Sequence, residues 1–235
     1  MTDRPVLLGL EASTGPCSVA LLQGDEVLGR LETEGRASTG RLIDMLDALL
    51  AESGVTRSAI DAVVAGRGPG GFTGVRITMG VAQGLALGLD RPAIAVSTLH
   101  VLAETALASV PGMASSGVGP QAVLAVLDAR MGEVYAGHFH CQADGPGRTR
   151  AQGAESLQRP ECVAPVTVPC YLAGSGVDAY PALQALAGGH VLSGVVPDIA
   201  TVMPLARARF EAGEGVPGAH LQPVYLRDRV VDQPK

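Results

Sequence analysis

The chain opens on apolar runs too short for helices. Residues 6–10 (VLLGL) are continuously apolar, the pattern of a strand buried on both faces. Residues 18–22 and 26–32 read as a second and a third strand, with turns at Gly15-Pro16 and Gly24-Asp25. The spacing predicts an antiparallel meander of three strands. From about Thr39 the apolar period lengthens to that of a helix, which runs to Ser53 and stops at Gly54. Residues 61–65 read as a strand, followed by a glycine-rich loop and a helix over about 73–88. A short strand at 93–97 and a helical segment at 98–108 complete this half.

Residues 111–120 are rich in Gly, Pro and Ser and read as a linker, after which the pattern restarts. VLLGLEASTG at 6–15 aligns without a gap on VLAVLDARMG at 123–132, setting Glu11 on Asp128, Ala12 on Ala129 and Gly15 on Gly132. Each copy is a strand, an acidic residue, a tight turn and a returning strand, at 18–22 and at 134–140. Residues 168–172 and Gly174-Ser175-Gly176 repeat the strand and glycine loop, and a short helix is predicted over about 179–186. Duplication therefore predicts two α/β lobes of the ribonuclease-H-like kind. Their ranges are 1–108 and 109–235, with 219–235 packing back on the first.

Composition narrows the chemistry. A length of 235 residues suits two lobes of roughly 100 residues each. Apolar residues are 47% and aromatics 3%, so Leu, Val, Ile and Ala must fill the cores. The net charge of -6 comes with no local cluster of Arg and Lys, which makes a poor stand-alone nucleic-acid binder. The only lysine is Lys235. That excludes a P-loop and a pyridoxal Schiff base, and arginine is too basic to move protons. Cys17, Cys141, Cys162 and Cys170 show no C-x-x-C spacing, and the N-terminus carries no secretory pattern. No apolar run crosses a bilayer without meeting glycine or charge. The expectation is a cytoplasmic protein with reduced thiols and no membrane association.

Residues 66–76 read GRGPGGFTGVR. Gly66, Gly68 and Gly71 fit the dinucleotide fingerprint, with Asp90 about twenty residues on. Three features oppose that reading. Pro69 lacks an N–H for the pyrophosphate, Asp90 precedes the next strand instead of ending it, and the opening meander is foreign to that fold. His100 has no second His at i+4 to complete a metal-binding pair. His138 and His140 share a strand face but lack a third ligand, so no metal is expected. Ser13 and Ser38 come with no motif for an activating His or an oxyanion hole.

Residues 66–76 resemble the Gly-Pro-Gly-Ser-Phe-Thr-Gly-x-Arg signature of the TsaB family. Residues 128–135 (DARMGEVY), 84–88 with 96–99, and 223–227 (PVYLR) are similar to further segments of that family. The chain departs at Gly71, where the signature has Ser, and at Ala37-Ser38, where members often have His. The resemblance implies an actin/Hsp70-like fold of two lobes. It also implies partnership with TsaD, which transfers threonylcarbamoyl to the tRNA adenosine beside the anticodon, and with the ATPase TsaE. The implied role is a non-catalytic scaffold or activating subunit that needs no cofactor and meets tRNA only through the complex. The alternative is an active nucleotide-dependent phosphotransferase of the same superfamily.

Active members of that superfamily hold ATP between two phosphate hairpins. The corresponding residues are Glu11, Ser13 and Thr14 in the first and Asp128 and Arg130 in the second. Bulky Arg130 and Met131 stand where small residues are needed, which predicts a degenerate nucleotide cleft. The second helix is apolar nearly all round, with Arg76 and Gln83 as a narrow polar arc and Gly80, Gly84 and Gly88 as a ridge. The first carries Leu42, Met45 and Leu49 on one edge and Ile43, Leu46 and Leu50 on the other. By the resemblance, these helices meet the equivalent pair of TsaD. Leu42, Met45, Leu49, Phe72, Thr73, Val75, Arg76 and Met79 are the expected contacts, and a homodimer is expected when the chain is alone.

Overall fold

The structure is a computed structural model and describes residues 4–35, 37–110, 120–188 and 190–227. Most of the expected linker, and Lys235, lie outside the described residues. The opening meander forms as β1 (Val6–Glu11), β2 (Cys17–Gln23) and β3 (Glu26–Glu32), paired antiparallel in that order. Next to β1 on its other side lies β4 (Ala62–Gly66), parallel, and then β5 (Pro92–Val96), also parallel.

A strand with both faces covered must be apolar at every position, and β1 shows why. Leu8 and Leu10 face a cluster with α1 (Thr39–Ser53) and α2 (Phe72–Leu89). Leu7 faces the opposite cluster with Ile199, Val202 and Met203. α1 begins at Ser38, whose side chain accepts from the Arg41 N–H, and ends at Gly54 in the left-handed region.

The second sheet repeats the plan with β6 (Ala122–Arg130), β7 (Glu133–Cys141) and β8 (Thr149–Gln158) antiparallel, and β9 (Cys170–Ala173) parallel to β6. The order is β10-β9-β6-β7-β8, where β10 is Val191–Leu192. α3 (Thr98–Ala108) is shared: Val101 packs on the first sheet, while Leu99, Leu102, Ala103 and Ala106 pack on the second. α4 (Ser175–Ala179) covers the far face of the second sheet with Val177.

The chain then returns to the first sheet. α5 (Met203–Glu211) packs beneath it, and β11 (Val216–Pro217) pairs with β5 as its edge strand. Leu221 is buried with α1 and α2, and the Val224 N–H donates to the Arg67 carbonyl at 2.8 Å. The first lobe is thus built from both chain ends, and a division at 108/109 describes only the first crossing. A buried acidic residue joins α3 to the edge of the second sheet. Glu104 is fully buried and accepts from the N–H groups of Arg148 and Thr149 and from the Thr149 hydroxyl, which ties the start of β8 to α3.

Candidate functional site

The glycine loop and the first turn form one packed unit. A side chain at Gly66 would overlap the Glu11 carboxylate, and one at Gly74 would overlap the Ala12 carbonyl. A Cβ at Gly70 would fall 2.5 Å from the Ser13 carbonyl. These glycines let the β1–β2 turn lie directly on the start of α2. The Gly71 N–H, which in a dinucleotide site would point at a phosphate, donates instead to the Ser13 carbonyl at 2.7 Å. The Ala12 N–H donates to Thr78 Oγ1 at 3.0 Å. The fingerprint spacing thus serves a contact between protein segments.

Glu11 turns inward. It is 1% exposed, Oε1 accepts from the Ser13 N–H, and Oε2 accepts from Thr98 Oγ1 at 2.8 Å. Burial pushes its carboxyl above the ordinary value, opposed by those hydrogen bonds from Ser13 and Thr98. The expectation of a Glu reaching into a cleft is corrected here: the absent side chain of Gly66 makes the room that Glu11 fills. Ser13 is also buried, with its hydroxyl beside the Glu11 carboxylate. Thr14 is half-buried beside it.

The second turn is different. Arg130 and Met131 both adopt positive φ, 62° and 56°. The Arg130 side chain is 87% exposed and pairs with Asp128 at 3.0 Å. Asp128 Oδ1 accepts from the Arg130 N–H, and the Asp128 N–H donates to Ser175 Oγ. Arg227 holds the turn from the side, donating to the Ala129 carbonyl at 2.9 Å and pairing with Glu133 at 2.7 Å. Among the described residues no hydrogen bond or ion pair joins Glu11, Ser13 or Thr14 to Asp128 or Arg130.

His100 stacks on Phe139, and burial holds it below its ordinary pKa against the pull of Glu104. Burial likewise lowers His138. Among the described residues no three His, Cys, Asp or Glu side chains gather as a metal site.

The two helices have an inner and an outer face. Leu42, Met45, Leu49, Val75 and Met79 are all buried in the core against β1, β2 and β4. Each fully buried leucine contributes about 1.5–3 kcal/mol there. Side chains spent on that core cannot also meet a second chain, which corrects their assignment as contacts. Phe72, Thr73 and Arg76 lie outside, as do Ile43 and Leu87. Between α1 and α2 runs an open groove of about 750 Å³, lined by Ile43, Leu46, Leu50, Ile77, Gly80 and Gly84 among others. A Cβ added at Gly80, Gly84 or Gly88 would meet nothing. Arg76 sits on this surface with its guanidinium 3.7 Å from the Phe72 ring centroid, and its Nε donates to the Tyr225 hydroxyl at 3.3 Å. α2 is apolar enough to span a bilayer by length and composition, with mean hydropathy 1.2 and 33% of it buried.

Periodicity marks both edges of α1 as apolar, so it could not tell which of its side chains enter the core. Tyr225 carried no periodic signal at all. Only the fold brings it to Phe72, with ring centroids 6.0 Å apart.

Two sheets, each a meander with a parallel strand beside its first, define a two-lobed protein of the actin-like fold. Residues 32–162 match the family described as TsaD, tRNA N6-adenosine threonylcarbamoyltransferase. The chain is 37% identical over 230 residues to the tRNA threonylcarbamoyladenosine biosynthesis protein TsaB of Escherichia coli K12, covering 95% of each. It is 32% identical to the Haemophilus influenzae protein of the same name, over 95% of this chain and 94% of that one. YeaZ from Pseudomonas aeruginosa superposes with a TM-score of 0.80 at 38% identity, over 94% of this chain and 100% of that one. A second Pseudomonas aeruginosa structure, described as similar to peptidase YeaZ, gives a TM-score of 0.81 at 38% identity, over 95% and 100%. The chain belongs to the TsaB family.

The peptidase description finds no support at Ser13. Its hydroxyl is buried, and no histidine hydrogen-bonds to it among the described residues.

Proposed function

We propose that this chain acts in tRNA threonylcarbamoyladenosine biosynthesis as a non-catalytic subunit that docks on TsaD, with TsaE completing the set. The observation that carries this reading is the open apolar groove between α1 and α2, on a chain whose glycine loop is packed against its own β1–β2 turn. An exposed apolar surface of this kind marks an interaction site. The relatives' names supply the pathway, and the net charge of -6 favours reaching tRNA through the complex. Without TsaD, the same groove is covered by a second copy of the chain.

The test is reconstitution. Purified TsaD and TsaE are incubated with substrate tRNA, ATP and an activated threonylcarbamoyl donor, with and without this chain, and threonylcarbamoyladenosine is measured by mass spectrometry of the digested tRNA. The modification is expected to fall to background when the chain is omitted. Equal modification in both reactions overturns the proposal.

A further inference from the structure

The groove carries three charged side chains: Asp47, Arg57 and Arg76. Asp47 and Arg57 pair with each other. Arg76 has no such partner among the described residues. Among the described residues, every arginine except Arg76, Arg91 and Arg150 has a carboxylate within 4.0 Å. Of those three, Arg76 alone has its guanidinium held over an aromatic ring.

The manner of holding matters. The Phe72 face stabilises the positive charge but accepts none of its N–H groups. Tyr225 takes the Nε hydrogen only. Among the described residues both Nη groups therefore remain free to donate, in a fork of fixed plane that matches a carboxylate. Because stacking has already restricted the side chain, less rotamer freedom is lost on pairing.

Docking would change the cost. A helix laid into the groove removes water from Arg76, and a desolvated cation without a counter-charge opposes binding strongly. We propose that Arg76, preset by Phe72 and Tyr225, is the residue that selects the partner: the docking helix must present an Asp or Glu carboxylate to its two free Nη groups, flanked by apolar residues that fill the groove. The inference rests on the reading that the groove receives TsaD, and it adds the chemistry by which TsaD is recognised. C-terminal Tyr225 thereby becomes a positioning residue for the contact, although it lies far from α2 in sequence.

The experiment measures the dissociation constant of TsaD for the wild-type chain, Arg76→Gln, Arg76→Lys and Phe72→Leu across a range of salt. Thermal melts of each variant control for folding, and exposed Arg76 is expected to leave the melt unchanged. Arg76→Gln is expected to bind roughly 30-fold more weakly or worse, the size of an interface hot spot. Arg76→Lys keeps the charge but loses the fork, and should fall between the two. Wild-type and Phe72→Leu affinities should both weaken with salt, while Arg76→Gln loses most of that dependence. A loss of affinity without a change in salt dependence would mean a merely structural role and overturns the inference. So does wild-type binding with Arg76→Gln within about threefold of it, and so does an effect confined to self-association. If the wild-type chain fails to bind TsaD at all, the docking reading fails first and this inference falls with it.

Discussion

The two β-hairpin turns stand at matching positions of a repeated unit yet have opposite fates. The first, from Glu11 to Cys17, lies under the start of α2 with Glu11, Ala12 and Ser13 all buried. The second, from Asp128 to Glu133, projects with Arg130 and Met131 exposed and three successive residues at positive φ. The glycines explain the difference. Gly66, Gly70 and Gly74 press on Glu11, Ser13 and Ala12, which belong to the turn or border it. Their counterparts in the second lobe, Gly174 and Gly176, press on Val126, lower on the strand. Where close-approach glycines meet the turn, it becomes core. Where they meet the strand, the turn stays on the surface and needs Arg227 to hold it.

The sharpest way to break this contrast is Gly74→Ala. The new methyl would overlap the Ala12 carbonyl, and neither backbone can yield. A loss of about 3 kcal/mol or more is expected, read as a lowered denaturant midpoint. A midpoint within error of the wild type would show that the turn is not clamped.

A smaller effect concerns Glu11. Its carboxyl is raised above 4.5 in the folded chain, chiefly by burial. The folded state therefore keeps the proton longer than the unfolded state does. The stabilisation linked to that proton is whole below about pH 4.5 and is lost as pH climbs through the folded value. Glu11→Gln has no proton to lose. In thermal melts, the wild-type stability minus that of the variant should shrink from about pH 4 to about pH 8. A difference that is constant or grows with pH would contradict a carboxyl held in the core.

Much of this fold was legible because its apolar signals are strong. The meander, α1, α2 and the repeat all announce themselves by period and by turn glycines. β8 did not, since TRAQGAESLQ is half exposed at a sheet edge and has no buried face to alternate with. α5 was equally silent: MPLARARFE carries three apolar core contacts among charges, too few to set a period. For the site, period alone could not separate the side chains of α1 that enter the core from the one that stays outside. Leu42, Met45, Leu46, Leu49 and Leu50 from both edges are buried together, and of the six apolar positions only Ile43 is left exposed, which period alone does not reveal. Glu11 was read as a cleft residue because its inward turn depends on the missing side chain of Gly66, a contact between residues far apart in sequence.

The outer face of α2 offers the plainest trial of the docking proposal. Gly84 lines the groove, and a side chain there meets nothing in the isolated chain. Gly84→Leu should therefore fold as well as the wild type, or gain up to about 1 kcal/mol from helix propensity. The same side chain would stand in the path of any helix approaching the ridge. Titration calorimetry of TsaD into each form should give heat for the wild type and none for Gly84→Leu. Equal affinity for both would mean that this groove is not where TsaD binds.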